Sequence, residues 1–379
     1  MITERRNSVD AGARPFRARA QGRRIALAVA GLVLAVSVGA VALTRQPDGS
    51  AVGEGATGVL RPSTSEGRAT AFPDVPLLAG TASGRIYRLS PSGVAAGPLE
   101  LCGGRAVLAM RGAPSGNLAL AVCDRARGSE GSDAFVIDVR SLAAQRIDVT
   151  VLPRNDVVAW SPDARKLAVI APGACVALEP VCRARAVVYD IAAATATQIH
   201  PDEPRLADIR WTSSGISLYK PAAAKAGGSA GTYLLSDGRW LWIAPDRLVD
   251  EFADRAILRR VDAGVRERSS VVERSGGRER VLTPDGESEW PLILLEDGSV
   301  AAWRLGEGTR GTLVVYREGA VVRARAGTLA PVAQGTGAWI VARDIAGEIH
   351  AYSLGEDRFA TWPGSLGEPI TAIAVTGGR

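Results

Sequence analysis

The sequence reads as all-β, a seven-bladed β-propeller with six or eight blades as the alternatives, preceded by one N-terminal transmembrane helix and a flexible linker. Three observations carry that reading. Beyond residue 74 almost every apolar run is four to eight residues long, rich in Val, Leu, Ile and Ala, and bounded by Gly, Pro, Asp or Ser. The turns between those runs recur every 49 to 51 residues, the length of a unit of four short strands. A single stretch near the start is long and apolar enough to cross a bilayer.

Residues 1–24 form a tail that the reading places in the cytoplasm. It holds seven arginines against Glu4 and Asp10, so the chain's net charge of +5 sits entirely here. The remaining residues balance at 38 basic against 38 acidic. A neutral body has no net field to draw it to a phosphate backbone, so no nucleic-acid partner is expected.

Residues 25–43, IALAVAGLVLAVSVGAVAL, carry Ser37 as their only polar side chain. At 1.5 Å per residue a helix of this length spans about 28 Å, close to the hydrocarbon thickness of a membrane. Arginine lies before it and little charge after it, which orients the tail inward and the body outward. The expected location is therefore the cell membrane, single-pass, with the propeller extracytoplasmic. Ala40-Val41-Ala42 also has the small-x-small form of a signal-peptide site, which leaves secretion after cleavage near Ala42 as the alternative. Gly31, Ala35 and Gly39 recur every four residues and offer a face for weak helix-mediated dimerisation. Residues 44–73, rich in Gly, Ser, Thr and Pro, read as a flexible tether, and 74–379 as the propeller.

Within the body two repeat families align. AWSPDARKLAVI from Ala159 matches IRWTSSGISLYK from Ile209, setting Trp160 over Trp211 and Leu167 over Leu218, with AMRGAPSGNLALAV from Ala109 a looser copy. SGRIYRLS at Ser83, DGSVAAWRL at Asp297 and AGEIHAYSL at Ala346 form the second family. Pro162 presets the φ of a turn and Asp163 bonds its own backbone, so the flanking runs pair as a hairpin with Trp160 packed between blades. The units are expected at 103–150, 153–201, 205–245, 250–285, 288–327 and 328–365. The pieces at the two ends, PLLAGTASGRIYRLSPSG and PITAIAVTGG, join as a seventh, which removes exposed sheet edges.

The Trp160-Ser161-Pro162-Asp163 turn with Arg165, Lys166, Leu167 and Ala168, followed by RAVVYDIAAATATQI at 185–199, resembles the repeats of TolB-like (WD40-like) propellers. More distantly it resembles the propeller of dipeptidyl peptidase relatives. Ala164 stands where those repeats usually carry Gly. The resemblance implies a partner-binding role at the cell envelope.

Cys102, Cys123, Cys175 and Cys182 in an extracytoplasmic body suggest two disulfides, and their nested spacing favours 102 with 123 and 175 with 182. No metal site is expected, since no Cys-x-x-Cys occurs and only His200 and His350 could assist. No cofactor is expected either: GEGTRG at 306–311 fits Gly-x-Gly-x-x-Gly but lies between two strands, so it reads as a hairpin turn. No nucleophile elbow is recognised, so no catalytic residues are assigned and triad chemistry has no support. The acidic groups Asp202 and Glu203, then Asp250, Glu251 and Asp254, then Asp285, Glu287 and Glu289, read as solvated loop charge. The leading expectation is a non-enzymatic scaffold, tethered to the membrane and binding an envelope protein, polymer or other ligand. The alternative, an extracytoplasmic hydrolase or lyase, requires carboxylates gathered at one channel mouth.

Overall fold

A computed structural model describes residues 71–377 apart from 127–130, 155, 174–182, 205, 222–229, 262–267, 296, 307–310, 328, 337–338, 345, 354–355 and 357. The Arg-rich tail, the apolar segment with Gly31, Ala35 and Gly39, the linker up to residue 70, and the pair Cys175 and Cys182 lie outside the described residues. Among the described residues no helix is long and apolar enough to cross a membrane.

Short alternating runs separated by tight turns can satisfy their backbone only by pairing with neighbours, and here they do so as seven four-stranded antiparallel sheets. The first blade is composite, with the C-terminal strand innermost. It comprises β1 (Leu77–Thr81), β2 (Arg85–Ser90), β3 (Gly93–Glu100) and β28 (Ile370–Val375), in the order β28-β1-β2-β3. Blade two is β4 (Val107–Gly112), β5 (Leu118–Cys123), β6 (Ala134–Asp138) and β7 (Ala144–Arg146). Blade three is β8 (Val158–Trp160), β9 (Lys166–Pro172), β10 (Arg183–Asp190) and β11 (Thr195–Pro204). Blade four is β12 (Asp208–Thr212), β13 (Gly215–Lys220), β14 (Gly231–Ser236) and β15 (Arg239–Ala244). Blade five is β16 (Arg247–Phe252), β17 (Arg255–Val261), β18 (Ser269–Ser275) and β19 (Arg278–Val281). Blade six is β20 (Glu289–Leu294), β21 (Val300–Leu305), β22 (Gly311–Arg317) and β23 (Ala320–Gly327). Blade seven is β24 (Leu329–Thr336), β25 (Trp339–Asp344), β26 (Ile349–Ser353) and β27 (Arg358–Thr361).

The expected count of seven and the closure by both ends of the body therefore hold. Leu77 pairs with Val375 and Gly80 with Ala372, so β28 completes the first sheet. Gly112 permits this closure on its other side: a Cβ there would sit 1.7 Å from the carbonyl oxygen of Val375. Phe72 is already buried against Leu77 and Ile373, so packing starts two residues before the expected boundary.

The core lies between blades. Leu120 of blade two, Leu167 and Val169 of blade three and Ile209 and Leu218 of blade four share one apolar cluster. Three indoles stitch neighbouring blades through backbone carbonyls: Trp160 Nε1 donates to Arg111 (3.1 Å), Trp240 Nε1 to Ile199 (3.0 Å) and Trp362 Nε1 to Ser90 (2.9 Å). Cys102 and Cys123 form a disulfide, with both side chains fully buried.

Ser161-Pro162-Asp163-Ala164 is the turn between β8 and β9. The Ala164 amide donates to the Ser161 carbonyl, and Asp163 Oδ1 accepts from the Ser161 hydroxyl (2.6 Å) and from the Arg165 amide (3.1 Å). Ala164 has a φ of 57°, the left-handed conformation that favours glycine. Trp211 occupies the corresponding strand of blade four, half-buried against the same cluster as Trp160. The alignment behind it slips, however: Trp160 faces Leu167, whereas Trp211 faces Ile216 and Leu218 faces Ile209, because the turn of blade four is two residues shorter.

The second repeat family also needs correction. The copies at Ser83 and Ala346 lead into third strands, β2 and β26, but the copy at Asp297 leads into the second strand, β21. A Gly-containing tight turn before an alternating strand looks the same at either hairpin of a blade.

Candidate functional site

In a propeller the innermost strands run side by side around a central channel, so their first residues ring one mouth. Arg247 opens β16, Trp290 is second in β20, Thr371 is second in β28 and Arg210 is third in β12. Asp156 lies two residues before β8. Arg259 pairs with Arg247 across the β16/β17 hairpin, and Arg343 is the penultimate residue of β25, whose end lies beside the start of β24. Arg111, near the end of β4, still reaches Asp156 at 3.3 Å. These side chains surround a cavity of about 410 Å³ whose apolar lining includes Met110, Val249, Leu292 and Ile373.

Half of the mouth is an ion-pair network. Asp156 takes Arg111 (3.3 Å), Arg210 (3.2 Å) and Arg247 (2.7 Å), while Asp208 takes Arg210 (3.3 Å) and Arg247 Nε (2.6 Å). Burial works to raise the Asp156 carboxyl, but Arg210, Arg247 and Arg111 outweigh it and hold it well below the usual carboxylate range. Burial pushes the Asp208 carboxyl up. Arg247 is held charged: burial opposes its charge, and Asp208 and Asp156 more than compensate. Arg111 is lowered to about 10, first by burial and then by the neighbouring Arg210.

The other half is different. Arg259 stacks on the ring of Trp290, 4.8 Å from its centroid. Arg343 Nη1 donates to the carbonyls of Asp344 (2.8 Å) and Ile370 (3.2 Å). Neither guanidinium has a carboxylate at ion-pair distance among the described residues, and burial lowers both. The buried Nε atoms of Arg210, Arg259 and Arg343 and the indole Nε1 of Trp290 have no hydrogen-bond partner among the described residues.

None of these residues was singled out in the sequence. A visible signal was a charge at the start of an otherwise apolar innermost strand, as in Asp208-Ile209-Arg210-Trp211, which alternation alone does not assign to channel or rim.

Among the described residues, none of the acidic groups that were singled out lines the cavity. Asp250 accepts from the amides of Glu251 and Leu294, both at 2.9 Å, and Glu251 accepts from Ser214. Asp202 and Glu203 lie within β11, just before its last residue, Pro204. Glu289 is not solvated charge: it is fully buried, accepting from Arg304 Nε (2.8 Å), Thr283 Oγ1 (2.9 Å) and the Tyr316 hydroxyl (2.8 and 2.7 Å). Burial, then the bond to Glu289, pushes the Tyr316 phenol far up.

Asp344, Glu348 and His350 bring ligand-type atoms within 4.8 Å of one another on blade seven. Asp344 Oδ1 accepts the Glu348 amide at 2.8 Å and His350 Nδ1 lies 3.1 Å from Thr361 Oγ1, contacts that build the β25/β26 turn and its flanking strand. GEGTRG joins the paired strands β21 and β22, with 307–310 outside the described residues. Gly227-Gly228-Ser229-Ala230-Gly231 also satisfies Gly-x-Ser-x-Gly. It runs into a strand, β14, whereas a nucleophile elbow runs into a helix, and 222–229 lie outside the described residues.

No family model matches the chain, and no curated protein matches it. Among solved structures it is similar to a prolyl endopeptidase, at 12% identity and a TM-score of 0.54 over 78% of this chain and 49% of that one. It is similar to the β-propeller domain of the Trilobed protease from Pyrococcus furiosus, described as having an open velcro topology, at 15% identity and a TM-score of 0.52 over 73% and 86%. TolB from Acinetobacter baumannii matches at 11% identity and a TM-score of 0.45 over 80% and 67%. The chain thus spans about half the length of the prolyl endopeptidase. The first two likenesses define the class by fold alone, a β-propeller, and the seven sheets counted above make this one seven-bladed.

Proposed function

We propose that this chain is a ligand-binding propeller, displayed outside the cytoplasm by the apolar segment 25–43, and that its arginine-ringed mouth is the binding face. The observation that carries the reading is the composition of that mouth: five arginines line the cavity and Asp156 is the one carboxylate lining it among the described residues. Carboxylate-based hydrolysis uses two such groups, one of them holding a proton. Asp156 is held ionised by three arginines, and Asp208, whose carboxyl burial pushes up, lies behind it outside the cavity lining, so no proton-holding carboxyl faces the cavity, which favours binding over hydrolysis. The TolB-like turn at 160–168 and the apolar segment support an envelope setting.

The lysines offer a direct test, because Lys166, Lys220 and Lys225 are the only three in the chain and all lie in the body. A membrane-impermeant amine reagent applied to intact spheroplasts expressing the full chain should modify Lys166, whose side chain is 48% exposed, without lysis. Modification that requires lysis would overturn the placement.

A further inference from the structure

Resting on the reading of the mouth as a binding face, we infer that its ligand is a small organic anion whose carboxylate or phosphate group is received between Arg259, Trp290 and Arg343. Charge is the first argument. Five guanidinium groups face the cavity and only Asp156 and Asp208 answer them, leaving a formal surplus of three positive charges in one enclosed space. That surplus is localised: Arg111, Arg210 and Arg247 share the two carboxylates, whereas Arg259 and Arg343 face none.

Donors are the second argument. Of the seven buried side-chain atoms without a hydrogen-bond partner among the described residues, four are N–H groups of residues that line this cavity. Leaving a buried donor unsatisfied is costly, so such a concentration is sustained where an acceptor can enter. An oxyanion is an acceptor on every face, and guanidinium forks match its geometry. The donors are also pre-placed. Stacking fixes Arg259 against the Trp290 ring, and two backbone carbonyls fix Arg343, so little ordering remains to be done when the ligand arrives.

Size and lining complete the description. About 410 Å³ suits a small molecule, and Val249, Leu292 and Ile373 offer apolar surface to a short carbon skeleton attached to the anionic head.

The test uses the full-length protein in detergent, titrated separately with citrate and with inorganic phosphate, following melting temperature and tryptophan fluorescence. One of the two anions should raise the melting temperature and change the fluorescence, and the stronger response names the head group. R259Q and R343Q should each weaken that response at least tenfold, and W290F, which keeps the ring for Arg259 but removes the indole N–H, should weaken it and abolish the fluorescence change. R274Q, on an ion pair of blade five away from the cavity lining, should leave it intact. Unliganded melting of each variant separates misfolding from lost binding. No response to either anion, or equal responses in R343Q and the parent chain, would overturn the small-anion site. Lysine labelling reads location independently, so those outcomes would remove the ligand class while leaving a displayed propeller standing.

Discussion

Deleting residues 369–379 removes β28 and should unfold the ring. The strand buries Ile370, Ile373 and Val375 together with Ala372 and Ala374, all at 6% exposure or less. At about 1.5–3 kcal/mol for each buried Val or Ile and about 0.8 kcal/mol for each alanine methyl, the loss is roughly 6–11 kcal/mol before the ladder to β1 is counted. Total stability of about 5–15 kcal/mol leaves little margin against that. The truncated chain should therefore show no cooperative melting. A second chain distinguishes loss of the strand from loss of the terminus. Since Val375 pairs with Leu77 and the Thr376 amide donates to the Pro76 carbonyl, residues 369–376 followed by Asn-Gly can be inserted ahead of Pro76 in the truncated chain. There β28 would reach its place as a hairpin, and most of the melting temperature should return. Calorimetry and sedimentation decide the matter: a truncated chain that stays monomeric and melts within about 5 °C of the parent would refute the closure argument.

Reduction of the Cys102 to Cys123 disulfide, which closes a loop of 21 residues, should cost about 3 kcal/mol on the loop-entropy model. For a body of this size that is about 5 °C, readable by melting with and without dithiothreitol. Tyr316→Phe removes a donor from the fully buried Glu289 and should cost about 1.5–3 kcal/mol; pairing it with Glu289→Gln in a double-mutant cycle by urea unfolding should recover much of that loss. Glu273 is buried, which alone would raise its carboxyl, but hydrogen bonds from Arg280 and Arg255 hold it below its ordinary value. Its stabilisation is therefore complete above about pH 4.3 and is lost as pH falls through the folded value. Unfolding free energy measured from pH 6 down to pH 2 should decline less steeply in Glu273→Gln than in the parent chain.

Architecture was legible because it is written locally. The Ser161-Pro162-Asp163 turn, the short Val- and Leu-rich runs and the two half-blades at the ends each specify their structure within about ten residues. The unit expected at 250–285 holds β17 and β18. Spacing between turns was a weaker guide, as the slipped partners of Trp211 and the misplaced copy at Asp297 show, because turns can shorten while blades stay in phase. The channel was illegible for a geometric reason. Arg111, Arg259 and Arg343 lie up to 232 residues apart and meet only because seven sheets are arranged around an axis. Glu289 escaped similarly: nothing next to it in the chain announces Arg304 or Tyr316, which reach it from the two strands following its own in the same sheet.

The composite first blade also sets an order in time. Its partners, Leu77 and Val375, are separated by nearly the whole body, so while the chain is being made β1 presents an open inner edge that none of the intervening strands fills. Such long-range pairing is slow, and an unpaired edge is a template for other chains. The inner edge of β1 therefore stays open until β28 is made, so the composite blade is completed late and mispairing of that edge is the hazard before then.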